Sequence, residues 1–391
     1  MAETRQTTSP SICIVTGPFV QHSGSYHMIF NNLVNISTDL SEKVIIISDN
    51  ALVNPNIPET SYRYCGIPRP GFLTGRCEKI FMPLWMQIAI SIKMFQLRNE
   101  ISGPVLFLSG ALFLPVLTSK ILKKKSMLVA VASESNNSRS QYPSSLKSMI
   151  RVGILKILEK STVRCADYVG IESPHVAAFL GLHLSPERLV ENGHLYLHDR
   201  KFMKTTNFPE REFSVGYIGR LSQEKGISNF IDALPDFLRE NPQWHVIVVG
   251  AGSLDSLILS KIEKNQLREH VTRIQWVEHG LLPEILNRLR LLVVPSATEG
   301  LPNIVLEAMS CGTPVLAAAV GGIPDLIHDH ETGYLLRDTT PASIFQGMEA
   351  ALSDNNISAV SDNAVKFIEQ HYSVSATKKK WQDILLRIND V

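Results

Sequence analysis

The sequence lacks the paired cysteines that would form a disulfide framework or a zinc site. Its five cysteines are scattered, and none belongs to a Cys-x-x-Cys pair. An odd number at irregular spacing argues against both kinds of site, so we expect reduced thiols in a cytosolic protein. The five are Cys13, Cys65, Cys77, Cys165 and Cys311.

Charge of one sign is not in excess either. There are 38 lysines and arginines against 37 acidic residues, a formal net charge of +1. This balance gives no reason to expect a nucleic-acid partner. The first ten residues are polar and lack the apolar core of a signal peptide, which also favours the cytoplasm.

The sequence has no long uninterrupted apolar run. The stretch Ile101–Ser119 carries no charge and approaches the length of a membrane span, but two glycines and two prolines interrupt it. Such residues punctuate short elements, so the stretch predicts a buried strand at Val105–Leu108, a loop and a short helix.

Length and composition describe a folded enzyme-sized protein. A chain of 391 residues exceeds what one hydrophobic core usually holds, and it predicts two domains. The apolar content of 44% and charged content of 19% are those of an ordinary globular protein.

The most informative stretch runs from Thr298 to Cys311 and holds two glutamates. Gly300 and Pro302 predict a loop that enters a helix, because proline is favoured in the first helical turn. Glu299 then lies at the helix mouth and Glu307 on its second turn among apolar neighbours. A buried carboxylate needs a hydrogen-bond partner, which can be ligand hydroxyls or a neighbouring backbone.

The flanking sequence favours a ligand. Apolar runs at Leu291–Val294 and Val315–Ala318 predict strands on either side of the helix, and Gly321–Gly322 follow the second. This is a βαβ unit with its loops where α/β proteins bind ligands. The motifs Glu-Gly-Leu-Pro-Asn-Ile-Val-Leu-Glu-Ala-Met, Gly-Thr-Pro-Val and Val-Gly-Gly resemble those of the nucleotide-sugar glycosyltransferases of family 4, which have the two-domain GT-B fold.

A second loop, Gly219–Gly226, also matches that family. It lies between a predicted strand at Ser214–Ile218 and a helix, and it carries Arg220 and Lys225. Two cations on a glycine-bounded loop suit a diphosphate, where negative charge builds on a leaving group. Gly250-Ala-Gly252 after the next strand lacks the third glycine of a dinucleotide fingerprint, which disfavours a dehydrogenase.

The first half of the chain resembles the family more weakly. Relatives carry a glycine pair at the head of the first helix, and this sequence has Gly24-Ser25. Many relatives also place a histidine near the reacting sugar, where this sequence has Ser133-Glu134. Loss of that histidine leaves open whether catalysis is altered.

Two helices of the first half carry long apolar stretches. Ile80–Leu97 predicts a helix with a core-facing stripe, and Ser144–Cys165 predicts a second, basic helix. The basic helix can lie on an anionic membrane, or its apolar stripe can pack on the sheet while its cations are solvated. The stripe of the first helix consists of Phe81, Leu84, Trp85, Ile88 and Ile92. The cations of the second are Lys147, Arg151, Lys156, Lys160 and Arg164.

The resemblance implies an α/β protein of the GT-B fold, with two Rossmann-like domains facing each other across a cleft. We predict an acceptor-side domain at residues 1–205, a donor domain at 206–370 and a terminal helix at 371–391 that returns to the first domain. Residues 201–211 are the expected linker.

The implied function is retaining transfer of a sugar from a nucleotide-diphosphate sugar to a glycan or lipid-linked acceptor. Arg220 and Lys225 would neutralise the diphosphate, Glu299 would contact the sugar and Glu307 the ribose. The remaining substrate-binding residues implied are Gly24, Ser25, Gly219, Gly300, Leu301, Pro302 and Asn303.

No Asp-x-Asp motif occurs, so we expect no metal and no cofactor beyond the donor. The expected location is the cytoplasm, with peripheral attachment to the inner membrane face. The alternatives are a nucleotide-sugar binding protein without turnover, and a GT-B epimerase.

Overall fold

The computed structural model describes residues 10–17, 24–49, 59–68, 70, 75–129, 146–179, 181–182, 184–191 and 201–389. The chain forms two compact units. Unit 1 comprises Met1–Ile171, His183–Tyr196 and Lys378–Val391, and unit 2 comprises Glu172–Leu182 and Leu197–Thr377. The expected linker at 201–211 therefore belongs to unit 2, as does the short segment from Glu172 that precedes it.

Unit 1 is built on a parallel sheet of seven strands in the order β3-β2-β1-β4-β5-β6-β7. The strand order reverses between β1 and β4, which are neighbours in the sheet. The strands are β1 (Ile12–Val15), β2 (Val44–Asp49), β3 (Tyr62–Ile67), β4 (Val105–Phe107), β5 (Ser126–Leu128), β6 (Tyr168–Ile171) and β7 (Leu189–Glu191).

Among the described residues of unit 1, four helices lie between these strands in the sequence. They are α1 (Gly24–Leu40), α2 (Gly75–Gln96), α3 (Phe113–Ile121) and α4 (Leu146–Cys165). Connections between parallel strands are almost always right-handed. Because β3 to β6 run across the sheet in the opposite direction to β1 to β3, α2, α3 and α4 cover one face and α1 covers the other.

The prediction of which side of α2 faces the core is wrong. The residues packed inside are Met82, Met86, Ile90 and Met94, which lie on the opposite side of the helix. Phe81 and Ile92 are each 53% exposed, and Leu84 and Ile88 are exposed as well. The helix is apolar almost all round, so periodicity located a stripe but could not tell which side meets the sheet.

Unit 2 is built on a parallel sheet of six strands in the order β10-β9-β8-β11-β12-β13. Apart from the edge strand β10, whose sequence is Val-Thr-Arg-Ile, the strands are short, mainly apolar runs, as expected where helices cover both faces of a sheet. The strands are β8 (Ser214–Ile218), β9 (His245–Val249), β10 (Val271–Ile274), β11 (Leu291–Val294), β12 (Val315–Ala318) and β13 (Tyr334–Leu336).

The helices of unit 2 enclose two hydrophobic clusters, one on each face of that sheet. They are α5 (Pro174–Phe179), α6 (Ile227–Glu240), α7 (Asp255–Lys264), α8 (Leu282–Arg288), α9 (Asn303–Ser310), α10 (Ile323–Leu326), α11 (Pro341–Ser353) and α12 (Ile357–His371).

The last helix, α13 (Val374–Asn389), crosses the division between the units in the sequence. Its part from Lys378 onward belongs to unit 1, where Trp381 is fully buried. Lys380 Nζ lies 2.6 Å from Glu191 Oε1 in the same unit. Across the described residues, no helix combines the length and apolarity needed to cross a membrane.

Candidate active site

The candidate site lies at the carboxyl ends of β8 and β11 in unit 2. These strands pair in the sheet although they are far apart in sequence, so the strand order reverses between them. Ligands of α/β proteins bind at such a reversal. The Ala297 N–H donates to the Glu224 carbonyl at 2.8 Å, so the two loops singled out by the sequence touch each other.

Gly226 allows this close approach. Its φ is +69°, in the left-handed region that glycine adopts without strain. A Cβ at this position would lie 1.9 Å from the Pro295 carbonyl oxygen. Any larger residue would force the two loops apart.

Lys225 and Glu299 form the central ion pair. The Lys225 ammonium lies 2.7 Å from both carboxylate oxygens of Glu299. The side chain of Glu299 is only 9% exposed and that of Lys225 is 23% exposed. The structure thus brings together two residues to which the family resemblance gives separate roles, one toward the phosphates and one toward the sugar.

Arg220 is the cation of the site that faces water. Its side chain is 69% exposed, and Nη1 lies 3.9 Å from Oε1 of Glu224. Glu224 accepts a hydrogen bond from Ser222 Oγ at 2.6 Å, and this bond is the main cause that lowers the pKa of Glu224. Gly219 precedes Arg220 and donates its N–H to Val249 at 3.0 Å, which anchors the start of the loop.

Glu307 is buried on α9, as predicted, and its partner is His279. Nε2 of His279 lies 2.8 Å from Oε1 of Glu307, whose side chain is 6% exposed. The His279 ring is tilted against Phe202, with centroids 5.1 Å apart. Nothing in the sequence singled out His279, because it lies 28 residues before the glutamate in the loop after β10.

Arg211 stabilises the carboxyl end of α9. It is buried and donates hydrogen bonds to the carbonyls of Leu286, Leu289 and Cys311 at 3.2, 3.0 and 2.5 Å. Burial lowers its pKa to about 10. The guanidinium thereby satisfies the carbonyl at the carboxyl end of the helix that carries Glu307.

The loop before α9 is held by Glu172, which the sequence reading missed. The Leu301 N–H donates to Glu172 Oε2 at 3.2 Å. Burial raises the pKa of Glu172. One amide that the family resemblance assigns to the sugar is therefore already paired. Pro302 follows as the last residue before α9, which begins at Asn303.

A glycine pair completes this part of the site. Gly321 has φ +58°, and a Cβ there would lie 1.9 Å from the Glu299 carbonyl oxygen. The Gly322 N–H donates to the Gly300 carbonyl at 2.7 Å. Ser173 Oγ is buried beside Gly322, and among the described residues it has no hydrogen-bond partner.

The predicted site residues of unit 1 are only partly described. Helix α1 begins at Gly24, followed by Ser25, and β1 that leads to it lies at the strand-order reversal of its own sheet. The side chains of these two residues, and Ser133 and Glu134 altogether, lie outside the described residues.

Comparison with known proteins identifies the second half of the chain. A family model described as glycosyl transferases group 1 matches residues 198–373. Among curated proteins, alpha-D-kanosaminyltransferase of Streptomyces kanamyceticus is 26% identical over 68% of this chain and 72% of its own length. Alpha-maltose-1-phosphate synthase of Mycobacterium tuberculosis is 32% identical over 40% of each protein. The chain thus aligns with less than two thirds of the latter relative.

Solved structures share the fold over almost the whole chain. HepE of Anabaena, in complex with UDP, superposes with a TM-score of 0.70 over 96% of this chain and 99% of that one, at 17% identity. Sucrose-phosphate synthase of Thermosynechococcus elongatus gives a TM-score of 0.66 over 96% and 98%, at 18% identity. The chain therefore has the GT-B fold, and its residues 198–373 match the group 1 glycosyltransferase family, which together with the named relatives supports a glycosyltransferase as its enzyme class.

Proposed function

We propose that the protein is a retaining glycosyltransferase of family 4 that uses a nucleotide-diphosphate sugar. The observation that carries this proposal is the convergence of Lys225, Glu299 and Arg220 at the strand-order reversal of unit 2. HepE structures described as complexes with UDP and with UDP-glucose support a uridine nucleotide as the first donor to test.

The proposed donor site assigns each residue a physical task. The exposed Arg220 and the half-buried Lys225 neutralise the diphosphate, and Glu307 accepts the ribose hydroxyls. Glu299 contacts the sugar, and the Gly300–Asn303 segment orients it. Gly219 begins the loop that carries both cations, and the family resemblance assigns backbone N–H groups at Gly24 and Ser25 to the phosphates. Rate enhancement then comes from positioning and from stabilising charge on the leaving diphosphate.

Donor binding must rearrange the Lys225–Glu299 pair. An ammonium that is shared between a carboxylate and a phosphate loses part of its pairing to Glu299. The freed carboxylate oxygens then become acceptors for sugar hydroxyls, since an ionised carboxylate offers several lone pairs. In this view the ion pair keeps a largely buried carboxylate compensated until the donor arrives.

Two alternatives use the same site differently. A binding protein without turnover is motivated by Ser133-Glu134 at the place of the family's usual histidine. A GT-B epimerase would need acid and base residues around the sugar. For the acceptor we propose a glycan or a lipid-linked sugar, met in the cytoplasm or at the inner membrane face.

The test is incubation of the protein with a panel of nucleotide-diphosphate sugars. We expect slow release of nucleoside diphosphate without acceptor, and transfer with retained anomeric configuration by NMR when an acceptor is found. Binding without release supports the binding protein, and an altered nucleotide sugar supports the epimerase. A product of inverted configuration contradicts the retaining assignment.

A further inference from the structure

Helix α2 presents an apolar stripe to solvent. Its members recur at intervals of three and four residues, which places them on one side of the helix. Scattered exposed apolar residues are common, but a contiguous row marks a surface that binds something. The stripe consists of Phe81, Leu84, Ile88, Ile92 and Phe95, which are between 41% and 53% exposed.

The neighbouring helices extend this stripe. Helix α3 packs against both α2 and α4, and all three lie on one face of the unit 1 sheet. Ile121 on α3 is 61% exposed and Ile157 on α4 is 68% exposed. We call the outer surface of α2, α3 and α4, with the turns that follow α2 and α3, the apolar–basic face.

The cations of this face far outnumber its acids. Residues 81–129 and 152–165 contain nine lysines and arginines but two glutamates, Glu100 and Glu159. Glu100 pairs with Arg63 and Lys43, and Glu159 is half-buried. The exposed cations are Arg98, Lys120, Lys123, Lys156, Lys160 and Arg164, and none of them has an ion-pair partner among the described residues.

We propose that the apolar–basic face docks on an anionic lipid bilayer. The α2 stripe would enter the boundary between headgroups and acyl chains, while the cations contact anionic headgroups. A second copy of the chain fits less well, because a two-fold interface would bring the same cations together. The inference deepens the proposed function, since a lipid-linked acceptor would lie at the same surface, but it does not depend on turnover.

The test is flotation of the full-length protein with vesicles at low salt. We expect binding to phosphatidylglycerol–phosphatidylcholine vesicles, no binding to pure phosphatidylcholine, and release as salt rises. Ile88→Glu/Ile92→Glu should abolish binding. Lys120→Gln/Lys123→Gln should lower the partition coefficient about thirtyfold, given the usual attraction of each surface cation to such a membrane.

Two controls separate docking from damage. Leu257→Glu/Leu259→Glu changes an equally exposed apolar pair on α7 of unit 2, each 45% exposed, and should leave vesicle binding unchanged. The half-buried Trp85 lies beside the stripe, so brominated lipids should quench its fluorescence, and Trp85→Phe should remove that signal. Unlike the Ile88→Glu/Ile92→Glu variant, this measurement detects contact with the bilayer without introducing a charge into the stripe.

Three results would overturn the proposal. They are no binding to anionic vesicles at low salt, equal binding by the Ile88→Glu/Ile92→Glu variant, and a dimer in sedimentation velocity that this variant converts to a monomer. The dimer would assign the face to a second copy. Nucleotide binding is followed separately by thermal shift, so failure here leaves the donor site of unit 2 untouched.

Discussion

The ammonium of Lys225 bridges both carboxylate oxygens of Glu299, at 2.7 Å from each. The pair joins the loop after β8 to the loop after β11. These are the two loops at the strand-order reversal of unit 2. In the proposed donor site, a diphosphate competes with Glu299 for this cation. The site is therefore electrostatically compensated before any donor binds.

Replacing Arg220 or Lys225 should show which of them contributes to phosphate binding alone and which also contributes to stability. Arg220→Ala and Lys225→Ala should each weaken nucleoside diphosphate binding by about 1.5–3 kcal/mol, the usual value of a hydrogen bond to a charged group. Bare nucleoside should lose almost nothing. Only Lys225→Ala should also lower the melting temperature, because it leaves the largely buried Glu299 without its cation.

Calorimetry with nucleoside and nucleoside diphosphate measures the first effect, and thermal unfolding measures the second. Arg268→Ala is a suitable control, since this arginine is 73% exposed and pairs with Glu263 elsewhere in unit 2. Equal losses for nucleoside and diphosphate in both variants would remove the loop from the phosphate site.

The carboxylate of Glu307 should contribute to nucleotide affinity through a hydrogen bond with a ribose hydroxyl. Glu307→Gln should weaken the preferred nucleoside diphosphate by about 1.5–3 kcal/mol. The 2′-deoxy analogue should lose similar affinity for the parent protein but little more for the variant, because both changes remove the same hydrogen bond. Losses that simply add would show that Glu307 does not hold this hydroxyl.

Glu349→Gln provides the matched control for that experiment. Glu349 accepts a hydrogen bond from Asn241 Nδ2 at 2.5 Å, between α11 and the end of α6. Its loss should leave both nucleotide affinities unchanged. His279→Ala should alter nucleotide affinity as well, since His279 occupies one oxygen of Glu307 at 2.8 Å.

Gly226 should tolerate no side chain. Gly226→Ala places a Cβ 1.9 Å from the Pro295 carbonyl and requires a left-handed backbone from alanine. Left-handed strain alone costs about 1–3 kcal/mol, so we expect a clearly lowered melting temperature. Gly280→Ala is the control, because its Cβ would meet nothing within 4 Å. Equal stability of both variants would contradict the close approach of the two loops.

Several strands could be predicted from the sequence because their signals are local. Fully buried parallel strands are continuous apolar runs, and β8, β11 and β12 have their expected bounds. Local sequence could not supply tertiary partners. Glu172 meets Leu301 across 129 residues and His279 meets Glu307 across 28. The prediction of the buried side of α2 failed for the same reason. Met86 and Ile88 are both apolar, and only packing against the sheet distinguishes them.

Glu172 yields the last prediction, on stability against pH. Burial raises its pKa, so the folded protein binds this proton more tightly than the unfolded chain does. The stability that the proton provides is complete below the unfolded pKa and is lost as the pH rises through the folded pKa. Glu172→Gln keeps an oxygen for the Leu301 N–H but cannot ionise. Its free energy of unfolding should therefore fall less than that of the parent as pH rises from acid toward neutral.

Glu172→Ala cannot ionise either, but it also leaves the Leu301 N–H without its acceptor, so it should be less stable than Glu172→Gln by about 1–3 kcal/mol at every pH. Urea unfolding across that pH range distinguishes the three proteins. Asp329→Ala serves as control, since Asp329 also accepts a backbone N–H, from Leu335 at 2.8 Å, but is exposed. If the glutamine variant follows the parent's pH dependence, Glu172 ionises as freely in the folded protein as in the unfolded chain. Its burial beneath the Gly300–Leu301 loop would then have no effect on its proton.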